Sequence, residues 1–199
     1  MHLQNFPNIN SKDIYSVILP ECKPIVIKKH NLNWKQIWKQ TTFKYISVHE
    51  REVIYKFIHG ILPNKMKLYQ MKQNHSPLCP TCNVIEDNSH MFIKCRNIEN
   101  VLNYFEYILS IVCNICNVHV EKIIFLDIKT KTKKELNTAT VLIVNYVATI
   151  WYNRNRNISL DPLLLKTNIL KHQKLLSLVL MDNMQKVFTE KYCEFDFSI

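Results

Sequence analysis

The chain has one glycine in 199 residues, and that scarcity removes whole classes of function. A loop that cradles phosphate with bare backbone needs several glycines close together, so a P-loop or a dinucleotide-binding turn is excluded. Acidic residues are the second shortage: 16 Asp and Glu face 26 Lys and Arg, a formal net charge of +10. No paired aspartates and no strand-borne cluster of carboxylates are available for the metal ions of a polymerase or an RNase H. No Ser/His/Asp or Cys/His pair stands out as a nucleophilic centre. The most apolar run, Val141 to Trp151, is too short and too interrupted by Asn145 to cross a bilayer, which takes roughly twenty residues. What remains is a chain that is 47% apolar. That suits one ordinary core, or one core with a metal-stapled subdomain. Its seven cysteines follow an opening, Met-His-Leu-Gln-Asn-Phe-Pro, that does not read as a secretory leader. We therefore expect a reducing compartment, nuclear or cytoplasmic, and metal binding rather than disulfides. A basic surface favours an anionic partner, most simply nucleic acid. The richness in Lys, Asn and Ile is also what AT-rich coding DNA alone would produce, so charge counts only as support.

The densest chemistry lies between Ser76 and Cys95, in Ser-Pro-Leu-Cys-Pro-Thr-Cys-Asn-Val-Ile-Glu-Asp-Asn-Ser-His-Met-Phe-Ile-Lys-Cys. Cys79 and Cys82 are separated by two residues, His90 follows after seven more, and Cys95 after another four. Two cysteines at that spacing suit a turn that aims both thiolates and several amides at one tetrahedral ion, for which zinc is the natural occupant. Asn88 to Cys95 reads as a turn or two of helix that brings His90 and Cys95 together, with Met91, Phe92 and Ile93 packing it onto the body. Three thiolates, a neutral imidazole and a divalent cation sum to one negative charge, which Lys94 and Arg96 are placed to offset. The alternative is four unrelated residues, the cysteines serving as small apolar groups of the core.

Read with its upstream helix, the order is Arg51 to Lys65 (Arg-Glu-Val-Ile-Tyr-Lys-Phe-Ile-His-Gly-Ile-Leu-Pro-Asn-Lys), then Cys79-Pro-Thr-Cys82, then Glu86-Asp-Asn-Ser-His90, then Cys95. It resembles the zinc-binding region that follows the polymerase domain in reverse transcriptases of non-LTR (LINE-type) retrotransposons. Ile150-Trp-Tyr-Asn-Arg-Asn-Arg156 is similar to the Trp-Arg-Asn segment that often trails that region. The resemblance spans Trp34 to Arg156. It implies Cys79, Cys82, His90 and Cys95 as metal ligands, no catalytic residue, and a role in holding template RNA or target DNA. The retroviral zinc knuckle differs, with four residues rather than seven before its histidine. The chain has no Tyr-x-Asp-Asp motif, so polymerase activity is expected to lie elsewhere.

The rest of the chain reads as mainly α, a helical domain with a small zinc-stapled turn and helix inserted. We divide it into an N-terminal segment of short helices (1–46), a helical hairpin with the Cys/His site (47–96) and a C-terminal bundle (97–199) continuous with it. Ser11 caps a short helix ended by Pro20, and Pro24 to Ile27 is extended. Trp34 and Trp38 share a helix face beside Lys35 and Lys39; such a pattern can stack bases, but a core face with snorkelling lysines is the expectation. Ser47 and Glu50 form a capping box. Val53, Ile54, Phe57, Ile58 and Ile61 make the buried stripe of that helix, and Gly60 takes the left-handed position after its end. A helix from Asn64 to Gln73 turns Met66, Leu68, Tyr69 and Met71 inward and Lys65, Lys67 and Lys72 outward. Those lysines, with Lys94, Arg96, Arg154 and Arg156, are the candidate contacts to a phosphate backbone. Asn97 to Cys116 is helical, and Val118 to Leu126 is strand or helix. Cys113, Cys116 and His119 invite a second metal site, but core cysteines are the better reading. Asp127-Ile-Lys129 has the look of a nuclease motif without its second carboxylate. Lys133 to Arg154 is the central core helix. Asp161 caps a last helix expected to reach Lys191, which either packs on the central helix or offers a surface for a protein partner or oligomer. No membrane association and no enzyme activity are expected. Two functions fit: a nucleic-acid-binding accessory module, or a zinc-stapled helical scaffold for protein contacts.

Overall fold

The computed structural model describes residues 32–113, 115, 124–156 and 158–171. The expected elements before Leu32, Cys116 and His119, and the expected helix beyond Lys171 lie outside them. Among the described residues the protein is helical, with no strand beyond one isolated antiparallel bridge between Leu78 and Ile85. Six α-helices form among the described residues: α1 (Trp34–Thr41), α2 (Val48–Ile58), α3 (Lys65–Gln70), α4 (Glu99–Cys113), α5 (Lys133–Asn155) and α6 (Pro162–Lys171). A π-turn (His90–Lys94) and a 3₁₀ turn (Arg96–Ile98) lead into α4. No helix among them is long and apolar enough to cross a membrane.

The local chemistry accounts for most boundaries. Ser47 Oγ accepts from the Glu50 amide at 3.3 Å while the Glu50 carboxylate accepts from the Ser47 amide at 2.8 Å, so the expected capping box starts α2. At its end the Gly60 amide reaches the Phe57 carbonyl and the Ile61 amide the Lys56 carbonyl, both at 2.9 Å. With Gly60 at φ +65°, this is the paired-bond left-handed cap that glycine adopts without steric cost. That turn also corrects one expectation: it swings Ile61 to solvent, 47% exposed, and Leu62 takes the buried place instead. A second capping box, Thr132 with Glu135, starts α5.

α5 is the axle. From Thr138 to Ile150 every residue is buried, and the helix packs against α2, α4 and α6, with α1 laid on α2. The α4 stripe of Val101, Phe105, Ile108, Leu109 and Val112 is buried as its 3.6-residue spacing requires, and Leu102 packs partly buried beside it. Tyr146 stacks on Phe105 with ring centroids 4.2 Å apart. Its hydroxyl crosses to the π-turn and donates to the Phe92 carbonyl at 2.7 Å. Trp34 and Trp38 are half-buried and pack against the core, their rings 6.0 Å apart.

Candidate metal centre

The site is built on a miniature hairpin. The Cys79 amide donates to the Val84 carbonyl at 2.8 Å and the Glu86 amide to the Pro77 carbonyl at 2.9 Å. Asn83, at φ +55°, supplies the left-handed corner; asparagine tolerates that conformation better than most residues. Cys79 and Cys82 sit at the hairpin tip. The other two ligand-type residues come from the π-turn, and the spacing explains why it is π and not α. On an α-helix, residues five apart point about 140° away from each other. Widening by one residue, with the Cys95 amide donating back to the His90 carbonyl at 2.9 Å, returns them to one face. Asp87 Oδ1 accepts from the His90 amide at 2.7 Å and holds the start of the turn.

Cys79, Cys82, His90 and Cys95 thus converge, with their ligand atoms all within 4.8 Å of one another. The Cys95 sulfur lies 3.8 Å from the sulfurs of both Cys79 and Cys82. A disulfide would require about 2.05 Å. A tetrahedron with metal–sulfur bonds of about 2.3 Å has edges of about 3.8 Å, so the sulfurs stand where one shared ion would hold them. His90 Nε2 is buried without a hydrogen-bond partner, the state of a nitrogen whose partner is a metal. Cys79 and Cys95 are 1% exposed and His90 is 6% exposed. Cys82 is partly exposed, and four protein ligands would fill a tetrahedral shell.

The electrostatics of the cluster suit a cation. Burial alone would raise the Cys79 thiol, but the amides of Cys82 and Thr81 and the His90 side chain outweigh it and hold the group down at about 6. Cys95 moves the other way, to about 12: burial is the main cause, and the facing Cys79 charge adds to it against the pull of the Asn97 amide. Without an ion the cluster favours one thiolate and resists a second. The Arg96 amide also points at the Cys82 sulfur, at 3.4 Å.

Arg154, from the last turn of α5, enters the site from the far side. Its Nη2 lies 3.8 Å from the Cys79 sulfur and forms an ion pair with Glu86 Oε2, whose side chain is 2% exposed. Sequence reasoning missed this use. It assigned the charge offset to Lys94 and Arg96, whose side chains are exposed; the second contributes through its backbone. The signal available was Glu86, a carboxylate just before the His90 turn that needed a cation when buried.

The same glutamate anchors α3. Its Oε1 accepts from the Lys65 amide and its carbonyl from the Met66 amide, both at 3.2 Å, while Asn64 Oδ1 accepts from the Lys67 amide at 2.8 Å. These are the donors a helix start leaves unsatisfied. They let a helix of six residues stand with no buried face. The expected inward packing there does not occur: Tyr69 and Met71 are 50% and 55% exposed, and Met66 and Leu68 are only half-buried. Of the expected phosphate contacts, Lys72, Lys94, Arg96 and Arg156 are exposed. Lys65 is half-buried, and Lys67 donates to the Gly60 carbonyl at 3.1 Å. Cys113 is buried on α4, its thiol pushed up to about 12 by burial and by the Glu135 charge.

Compared with protein-family models, with curated proteins and with solved structures, the chain matches none.

Proposed function

We propose that this chain is a non-catalytic, zinc-stapled helical module that holds nucleic acid by its phosphate backbone. Zinc is the occupant that the donor set favours. Three thiolates and an imidazole are soft-to-borderline ligands, and their tetrahedral, closed arrangement belongs to structural zinc rather than to a catalytic ion with an open position.

The observation that carries the binding reading is how charge is sorted around the metal turn. Between Gly60 and Arg96 there are five basic residues and two acidic ones. Both carboxylates are turned inward, Glu86 to Arg154 and the α3 amides, and Asp87 to the His90 amide. Lys72, Lys94 and Arg96 point to solvent. Basic residues therefore outnumber acidic ones on the outer face of this turn, which suits a polyanion. The resemblance to the region after the retrotransposon polymerase supports the same role, with template RNA or target DNA as ligand.

The test is a fluorescence anisotropy titration of single-stranded and duplex probes at several salt concentrations, on wild type and on a Lys72→Gln, Lys94→Gln, Arg96→Gln triple variant. Affinity should fall with salt by about −0.7 logarithmic units per neutralised phosphate on single strands, or about −0.9 on duplex. The triple variant should lose up to about three such units of slope with its zinc content unchanged. An equal slope in both proteins, or no binding at physiological salt, would overturn the reading in favour of a protein-binding scaffold.

A further inference from the structure

One stripe of the buried central helix is polar, and it faces a cavity. Asn145, Thr149 and Asn153 follow each other at four-residue spacing along α5 and are 3%, 3% and 8% exposed. With Asn168 of α6 they line a groove of about 640 Å³ between the start of α2, α5 and α6. Asparagine in a helix interior is unfavourable, because its amide competes with the backbone. Here each amide is only half used. Asn145 Nδ2 donates to the Val141 carbonyl at 3.4 Å, Asn153 Nδ2 to the Thr149 carbonyl at 2.7 Å, and Asn168 Nδ2 to Thr149 Oγ1 at 3.0 Å. Among the described residues nothing donates to the three amide oxygens. The Asn168 bond ties α6 to α5, but among the described residues the fold makes no use of the three oxygens.

Three side-chain amides, each able to donate and accept, form a floor that complements a flat ligand with donors and acceptors on one edge. The half-buried Tyr152 ring and the exposed Arg156 guanidinium also line the groove, beside His49, Glu50, Ile158 and Leu164. The Glu50 carboxylate in that lining accepts from the Ser47 amide and hydroxyl through Oε2, at 2.8 and 2.6 Å. Amide floor, aromatic wall and a single cation are the parts that recognise an unpaired base carrying a phosphate. The volume lies in the range of small-molecule pockets and admits one nucleotide.

We infer that this groove is a nucleotide pocket, in which Asn145, Asn153 and Asn168 read the edge of one unpaired nucleobase against Tyr152 while Arg156 holds its phosphate. The inference rests on the nucleic-acid reading in so far as a bound strand supplies the base; a free nucleoside monophosphate offers the same chemistry.

The experiment is saturation-transfer NMR on the zinc-loaded full chain with each of the four nucleoside 5′-monophosphates and the matching nucleosides. Base protons of at least one nucleotide should receive saturation. Asn168→Leu should weaken that nucleotide about tenfold or more. Arg156→Gln, at an exposed position that cannot unfold the chain, should weaken the nucleotide and leave the nucleoside unchanged. If the base comes from a strand, single-stranded homopolymers should bind with a base preference that Asn168→Leu abolishes. If it comes from a free nucleotide, strand affinity should ignore that change. No saturation with any nucleotide, or binding that both variants leave intact, overturns the pocket. The triple lysine and arginine variant separates the two proposals. Strand binding that depends on it, with no nucleotide binding, removes the pocket and keeps the proposed function. Nucleotide binding without strand binding does the reverse.

Discussion

Replacing Arg154 by Met would leave Glu86 as a buried carboxylate with no cation. The Glu86 side chain is 2% exposed and that of Arg154 15%, so neither charge can be rescued by water in place. Removing one partner of a buried pair costs about 3–5 kcal/mol, most of it the penalty on the abandoned charge. Glu86 keeps the Lys65 amide on its other oxygen at 3.2 Å, which places the expected loss near the lower end, about 3 kcal/mol. Against a total stability of roughly 5–15 kcal/mol that is a large fraction. With a urea slope of about 2 kcal/mol per molar, the midpoint should fall by about 1.5 M at constant saturating zinc. The double variant Glu86→Gln, Arg154→Met removes both charges and should recover most of the loss, which guards against reading a general packing defect as an electrostatic one. A single variant that shifts the midpoint by less than about 0.3 M, or a double variant as unstable as the single, would refute the role given to this pair.

Three further outcomes are expected. Tyr146→Phe keeps the ring stack on Phe105 but strips the bond to the Phe92 carbonyl, which should cost about 1–3 kcal/mol in the same urea assay and speed amide exchange in the His90–Lys94 turn; equal exchange would count against that anchor. A strong chelator should loosen Leu78 to Cys95 while most far-ultraviolet helical signal survives, because α2, α4 and α5 bury a core of their own; loss of all helix would mean that the core depends on the metal. Because burial and Cys79 hold the Cys95 thiol up at about 12, it is protonated at pH 7.5 and must ionise to ligate. Zinc loading should therefore release at least one proton per site and weaken as pH falls. Calorimetry in two buffers of different ionisation enthalpy measures this, and zero release would contradict it.

What could be read from the chain was what depends on neighbours in sequence. The Ser47–Glu50 capping box, the left-handed Gly60 and the apolar stripe of α4 all follow from spacings of three or four residues, and all three appear in the structure. So do the four ligand-type residues, since two short turns suffice to gather them. The Thr132-Lys-Lys-Glu135 box that starts α5 was equally legible but passed unnoticed. What periodicity could not supply were contacts between distant segments. The pairing of Arg154 with Glu86 spans 68 residues, and nothing in either local pattern announces it. The apolar spacing of α3 was real, but no second surface covers it among the described residues, so the pattern gave the wrong burial. Ile61 failed for a related reason, because the glycine turn resets the helical phase one residue before it.

The central claim is one structural zinc held by three sulfurs and one nitrogen. Zinc K-edge X-ray absorption on protein purified without chelator measures it directly, giving occupancy, ligand type and distance together. The account predicts one zinc per chain, with three sulfurs at about 2.3 Å and one nitrogen at about 2.0–2.1 Å. It predicts no oxygen ligand. Zinc absent from the purified protein, or a shell with fewer than three sulfurs and a bound water, would contradict it.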